Sequence, residues 1–320
     1  MAEDRLPDEF TLIRRYFAPL ATHPGAAALG DDVALIAPAP GLVHVLKTDT
    51  IVEGVHYFAN DPAALVARKL LRVNLSDLAA KGARPVGYLL AASFAREMRE
   101  SWLAEFARGL AEDQRTYGIS LLGGDTTATP GPTTLTVTAI GEADAARVPR
   151  RSAAKPGHDI YVSGTLGDAA LGLRVIKGEL RGLSNEDADF LAGRYRLPEP
   201  RVALGQALIG IAVSAIDVSD GLVADLGHIS EESRVRAEVQ RDALPLSRAA
   251  RAALATDPGL WPDIVAAGDD YEILFTAPSA AAEGIAGITR IGRIVAGQGV
   301  AILDPAGKPV EVKTAGYRHF

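Results

Sequence analysis

The chain contains no cysteine, which excludes disulfides, thiolate metal sites and cysteine nucleophiles at once. Aromatic residues make up only 6% of it, so Ala, Val, Ile and Leu must do most of the filling of any core. A long basic run is missing as well, and the formal net charge is −7. Nucleic acid is therefore not an expected partner, although an acidic protein can bind polyanionic small molecules when metal ions intervene. No stretch approaches the roughly 20 apolar residues of a membrane span. The N-terminal MAEDRLPDEF is acidic and has no apolar segment, so the expectation is a soluble, cytoplasmic protein with no membrane partner. Also absent are a GxxxxGK[ST] loop and the protein-kinase signatures, so any nucleotide must be held in another way.

What is present is enough for two cores. At 320 residues and 48% hydrophobic, the chain is well above the size at which a core becomes hard to build. Apolar runs of strand length alternate with helical patterns, which predicts an α/β (α+β) protein. Helices are expected over Leu6–Leu20, Asp61–Lys81 (buried stripe Leu71, Leu75, Leu78; polar stripe Asn74, Asp77, Lys81), Glu100–Tyr117, Ala169–Lys177, Leu183–Tyr195 and Pro200–Ile211, with a further one after Gly221. Strands are expected after Asp31-Asp32, over Leu42–Leu46, Val86–Phe94, Ile119–Leu122, Thr133–Ile140, Asp159–Ser163, Ala212–Asp217, Ile273–Thr276, Ile288–Val295 and Val300–Asp304. The polar stretch Gly141–Gly157 has no hydrophobic period and is basic in its second half. It divides the chain into domains 1–142 and 143–320.

The acids have a pattern. In GLVHVLKTDTIVEGVHY (41–57) a short apolar run meets Thr48-Asp49-Thr50, and the arrangement of an apolar run with Asp beside Gly, Ser or Thr recurs in GGDTT (123–127) and DVSDG (217–221). Gly-Asp-Asp appears at 30–32 and again at 268–270. Carboxylates just past strand ends are held still yet open to ligand. Scattered surface acids or a calcium-stabilised fold would also use Asp, but an EF-hand loop is absent. The reading favoured is magnesium-dependent phosphoryl transfer, with carboxylates from distant segments converging on two or more ions. The strand, glycine turn and helix around Gly164-Thr165-Leu166-Gly167 present backbone N–H groups suited to an anion.

Taken in order, GDDVALI, KTDTIVEGVHY, NLSDLAAKGARP, GGDTT, RSAAKPG, IDVSDGL and GDDYEILF closely resemble the thiamine-monophosphate kinase family, within the superfamily of aminoimidazole ribonucleotide synthetase. The resemblance implies a two-domain synthetase-like architecture, each domain a mixed sheet flanked by helices, and a homodimer built from the N-terminal domains. It implies transfer of the γ-phosphoryl of ATP onto thiamine monophosphate with several Mg2+ ions. Asp77, Asp49 and Asp125 are then the catalytic acids; Asp32, Thr48, Asp49, Asp77, Asp125, Asp217 and Asp220 are metal ligands. Gly124, Asp125, Arg151 and Ser219 are implied to touch ATP, and His56, Asp269 and Tyr317 the thiamine substrate. Two positions depart from the family: Lys47 stands where a hydroxyl ligand is usual, and Asp269 where Glu is usual. Relatives that make selenophosphate or mature hydrogenase depend on a cysteine that this chain lacks; aminoimidazole ribonucleotide synthetase itself and a non-catalytic binder are the alternatives.

Overall fold

The computed structural model describes residues 6–312 and 316. The chain divides into two compact units, the first running through Leu78 and again over Ala83–Ala145, the second taking Ala79–Gly82 and everything from Ala146 onward.

The first unit opens with α1 (Glu9–Leu12), capped by Asp8, whose carboxylate accepts the Thr11 N–H at 3.1 Å. The helical path widens into a π turn over Ile13–Phe17 and tightens into a 3-10 turn over Ala18–Leu20, where Pro19 has no N–H to continue the ladder. Four strands follow: β1 (Val43–Val52), β2 (Arg84–Ala95), β3 (Ser120–Thr129) and β4 (Thr134–Ala143). They form a mixed sheet in the order β1-β4-β2-β3, with only the β2–β3 pair parallel. The long helices α2 (Ala63–Ala80) and α3 (Glu100–Tyr117) cover one face. Leu71, Leu75 and Leu78 are fully buried on α2, as are Leu103, Phe106 and Leu110 on α3. An aromatic cluster sits beside them: Phe94 of β2 meets Trp102 and Phe106 of α3 edge-on, and those two rings stack at 5.2 Å. Between the helices, Asp113 accepts from both Arg68 and Arg72.

The other face of this sheet is largely open. Leu46 is 66% exposed and Leu89 40%, beside hydroxyl pairs such as Thr50–Thr136 at 2.7 Å and Ser93–Thr127 at 2.9 Å. Part of that face is covered by residues 24–36, which are not the expected strand. They form a kinked 3-10 segment over Pro24–Leu29 and an irregular loop from Gly30, pinned at its neck by Leu35 N–H donating to Gly25 O at 2.9 Å. Leu29, Ala34 and Ile36 pack against the small cluster of Ala21, Ala26, Leu122 and Ile140, while Val33 and Leu35 face outward. With no neighbouring strand to take its N–H and C=O groups, a two-sided apolar run cannot become a strand.

The second unit holds a six-stranded sheet in the order β10-β7-β9-β5-β8-β6, antiparallel except for the edge pair β10–β7. The strands are β5 (His158–Ser163), β6 (Ser214–Asp217), β7 (Arg236–Gln240), β8 (Ile273–Pro278), β9 (Ile288–Val295) and β10 (Gly299–Leu303). Its helices are α4 (Asp168–Ile176), α5 (Asn185–Arg196), α6 (Val202–Ala207), α7 (Leu222–Ser233), α8 (Arg248–Thr256) and α9 (Trp261–Ala266). The core is aliphatic, as the composition requires, with Ile160, Val162, Leu171, Leu226, Ile229 and Ile291 fully buried. Each unit is thus a mixed sheet flanked by helices.

Candidate active site

Two expected strand ends turn out to be strand interiors. β1 does not stop at Leu46 but runs through Thr48-Asp49-Thr50 to Val52, paired with β4 all the way (Asp49 opposite Val137). β3 likewise continues through Gly123-Gly124-Asp125 to Thr129. The β-branched Thr and Val partners on β4 extend the ladder past the acids. Gly124 is required there: a Cβ would run into the Leu90 carbonyl of the neighbouring strand.

Being inside strands, the acids obey alternation. Lys47, Asp49 and Ile51 point to the helix-covered face, where Asp77 descends from α2. Lys47 Nζ lies 3.2 Å from Asp49 Oδ1 and 3.0 Å from Asp77 Oδ2, so one ammonium joins the two carboxylates. Burial pushes the Asp49 carboxyl up to about 6, with Lys47 pulling it back and Asp77 adding to the rise. Asn74, one turn before Asp77 on α2, is fully buried; its Nδ2 donates to Leu70 O at 3.0 Å, and its Oδ1 has no partner among the described residues. Thr48 and Asp125 take the opposite face. Thr48 Oγ1 donates to Val137 O at 3.1 Å and accepts from Thr138. Asp125 and Asp32 both line a cavity of about 780 Å³ between the open sheet face and the 29–36 segment, with Gly124, Thr136 and Thr138. The first unit therefore puts its acids on two faces rather than in one cluster, Asp49 with Asp77 joined through Lys47 on the helix-covered face, and Asp32 and Asp125 in the lining of the cavity on the other.

His56 sits in the turn after β1. Its Nδ1 accepts the Val52 N–H at 3.0 Å, and its carbonyl accepts from Lys69 Nζ at 3.0 Å. A neutral ring that accepts at Nδ1 carries its proton on Nε2.

In the second unit the structure brings DVSDG and GDDYE together. Asp269 N–H donates to Ser219 O and Tyr271 N–H to Val218 O, each at 2.8 Å. Asp217 closes β6 as expected and is buried, with Ser219 and Asp220 half-buried beyond it. The Ser219 and Asp220 N–H groups both donate at 3.0 Å to Asp225 Oδ2 of α7. Burial pushes the Asp225 carboxyl up to about 7, with Asp220 adding to the rise. Asp220, Asp225 and His228 offer ligand atoms within 4.8 Å of one another; Asp225 and His228 were missed in the sequence, although their three-residue spacing on one helix was a usable signal. Asp269 takes a left-handed backbone (φ 62°) and accepts from Tyr271 OH at 3.1 Å. Arg151 opens a 3-10 turn whose carbonyl accepts from Ser214 and Ser233, leaving its side chain exposed. Tyr317 lies outside the described residues; Gly316, next to it, lies against Asp220 and Ala224.

The Gly164–Gly167 turn is already supplied with an acid. Gly167 N–H donates at 2.8 Å to Oδ2 of the buried Asp270, and the Leu166 N–H is taken by Pro245 O.

Residues 30–143 match the family model described as AIR synthase related protein, N-terminal domain. Thiamine-monophosphate kinase of Caulobacter vibrioides is 42% identical over 98% of this chain and 91% of its own length. The chain belongs to the thiamine-monophosphate kinase family. Membership makes it a kinase. Among solved structures, the thiamine-monophosphate kinase of Stenotrophomonas maltophilia K279a is 42% identical, with a TM-score of 0.79 over 88% of this chain and 91% of that one. AaThiL complexed with AMPPCP and TMP is 29% identical, with a TM-score of 0.81 over 91% of each chain.

The donor set fits a hard cation. Carboxylate and hydroxyl oxygens prevail in both units, there is no thiolate, and in the first unit the orphaned Asn74 Oδ1 stands one turn from Asp77; magnesium takes such ligands. Among the described residues, no helix is long and apolar enough to cross a membrane.

Proposed function

We propose that this chain transfers the γ-phosphoryl group of ATP to the phosphate of thiamine monophosphate, giving thiamine diphosphate and ADP, by direct in-line displacement with Mg2+. The observation that carries the reading is the full-length relationship to thiamine-monophosphate kinases. The complex of a family member with AMPPCP and TMP supports the substrate pair.

The acceptor needs little activation. A phosphate monoester has a second pKa of about 6 and is largely dianionic at neutral pH, so its oxygen attacks Pγ without a general base while the bond from Pγ to the bridging oxygen breaks and ADP leaves. The obstacle is repulsion: like charges 4 Å apart cost about 4 kcal/mol at an effective dielectric of 20. Mg2+ ions held by Asp32, Thr48, Asp49, Asp77, Asp125, Asp217 and Asp220 would offset that charge. The proposed catalytic acids are Asp77, Asp49 and Asp125, in two places on the first sheet. Gly124, free of a side chain, lets phosphate oxygens approach the β3 backbone. Arg151, its backbone fixed by two serine hydroxyls, reaches for phosphate with Ser219. His56, as an Nε2–H donor, and Asp269, oriented by Tyr271, hold the thiamine substrate together with Tyr317. The open sheet face, with Leu46 and Leu89 exposed, supports a homodimer through the first unit, and a cytoplasmic setting belongs to the same proposal.

Phosphorus NMR of ATP plus thiamine monophosphate tests the reaction. The expected result is a new diphosphate doublet pair appearing with ADP only when Mg2+ is present. Unchanged spectra despite binding, or turnover only with formylglycinamidine ribonucleotide, would overturn it. Sedimentation at micromolar concentration checks the dimer.

A further inference from the structure

Two acids of the first unit already share a cation, and it is part of the chain. Lys47 precedes Asp49 by two residues on β1, so both side chains leave the strand on the helix-covered face, and Asp77 meets them from α2. The ammonium lies 3.2 Å from one carboxylate and 3.0 Å from the other. All three side chains are partly screened from solvent, with exposures of 33%, 35% and 21% for Lys47, Asp49 and Asp77, which favours persistence of the arrangement over the loose pairing of surface ions.

A lysine ammonium is a compact point charge on a flexible stem. Held between two carboxylates, it supplies the compensation that a bound ion would supply, and being tethered it is not lost by dilution. The ammonium already fills the place between the two oxygens, at 3.2 and 3.0 Å, so a divalent ion bridging both carboxylates needs that position vacated, and like charge adds to the competition. The ammonium and a divalent ion are therefore alternatives.

We infer that Lys47 is the resident cation of the Asp49–Asp77 pair: in the nucleotide-free protein its ammonium occupies the place between the carboxylates, and a divalent ion reaches them only when nucleotide delivers it and drives Lys47 aside. Lys47 is thus a positioning residue that keeps two like-charged ligands together until substrate arrives. The inference rests on the reading of Asp49 and Asp77 as cation-holding groups made above.

The test counts Mn2+ bound per chain, read from the free-ion EPR signal, on the full-length protein without nucleotide or thiamine monophosphate. Lys47→Ser and Lys47→Met are each expected to bind one Mn2+ more than the parent, and the added site is expected to vanish in Lys47→Met/Asp77→Asn. Asp77→Asn alone is expected to leave the parent count unchanged. In EDTA both lysine variants are expected to melt below the parent, with Mn2+ restoring more of the loss than it adds to the parent. Lys47→Met keeps the apolar stem and covers the case in which Lys47→Ser does not fold. Equal counts in parent and variants, or a parent count that drops with Asp77→Asn, would overturn the inference. No substrate is present, so this count can fail while the phosphorus NMR result stands, and the reverse.

Discussion

The tripeptide Gly-Asp-Asp occurs once in each unit, and the two copies meet opposite fates. At 30–32 all three residues are exposed; Asp31 Oδ1 only accepts the next N–H, and Asp32 lines the cavity of the first unit. At 268–270 the glycine and the second acid are buried, with Asp270 2% exposed and held by the Gly167 N–H. The difference lies in what comes next. Glu272, two residues on, is fully buried and takes three guanidinium hydrogen bonds from Arg194 and Arg201 plus the Ser163 hydroxyl at 2.5 Å. That ion cluster draws the whole segment inside, whereas among the described residues Val33–Ile36 has no strand or charge partner. Identical short motifs are therefore left exposed or drawn inside according to their neighbours.

The largest effect is expected from removing the anchor. Glu272→Ala leaves two arginines facing an empty, buried site, and loss of one partner of a buried ion pair costs about 3–5 kcal/mol. Urea unfolding followed by circular dichroism should show that loss. A change below about 1 kcal/mol would mean that the cluster does not hold the segment in.

The matching change in the exposed copy should act on rate instead. Asp32→Asn removes a charge from the cavity but no buried contact, so stability should stay within about 0.5 kcal/mol. Turnover should fall about 10²-fold or more, the scale of losing one electrostatic contact to a reacting group. Steady-state formation of ADP alongside the same unfolding curves separates the two; a destabilised but active variant would reverse the assignment.

The glycines sharpen the contrast at a smaller scale. Gly268 has φ 79°, and a Cβ there would strike the Ser219 carbonyl. The left-handed backbone alone costs a non-glycine residue about 1–2 kcal/mol, so Gly268→Ala should lose at least about 2 kcal/mol once the clash is added. Gly30 has φ −93° and only the Ala27 carbonyl at 3.2 Å, so Gly30→Ala should change stability by less than about 1 kcal/mol. The difference between the two midpoints in urea is the measurement.

The same contrast explains what was legible in the sequence. Helices with a clear apolar stripe were readable almost to the residue: Glu100–Tyr117 is α3, and the Leu71, Leu75, Leu78 stripe is buried on α2. Resemblance supplied the list of acids. Neither source could say which face of the first sheet each acid takes, because that depends on whether β1 stops at Leu46 or runs to Val52, and the pairing that settles it comes from β4, some ninety residues away. Reading Asp49 and Asp125 as strand-end groups hid the alternation that separates them. The role of Lys47 was hidden for the same reason: its partner Asp77 is distant in sequence and adjacent only through packing. The burial of Asp270 was equally hidden, because the tripeptide it shares with residues 30–32 reads the same in both places.

The last effect, spread over pH rather than set at one condition, comes from titrating that buried acid. Burial holds the Asp270 carboxyl well above the ordinary carboxylate range, with the Gly167 N–H opposing the rise. The folded protein therefore keeps the proton at pH values where the unfolded chain, with an aspartate pKa of about 3.9, has released it. In that interval the native state binds more protons, so this group's contribution to stability is fully present below about pH 4 and declines as pH rises towards the folded value, by at most about 1.4 kcal/mol per pH unit. Asp270→Asn keeps the neutral form and can still accept from Gly167, so it should remove that slope while lowering stability little at acid pH. Other acids titrate alongside, so the quantity to measure is the difference between parent and variant across pH 4–7 in urea midpoints. A difference that stays flat would show that Asp270 ionises in the fold much as it does in water, and the buried Gly-Asp-Asp would then be no more structural than the exposed one.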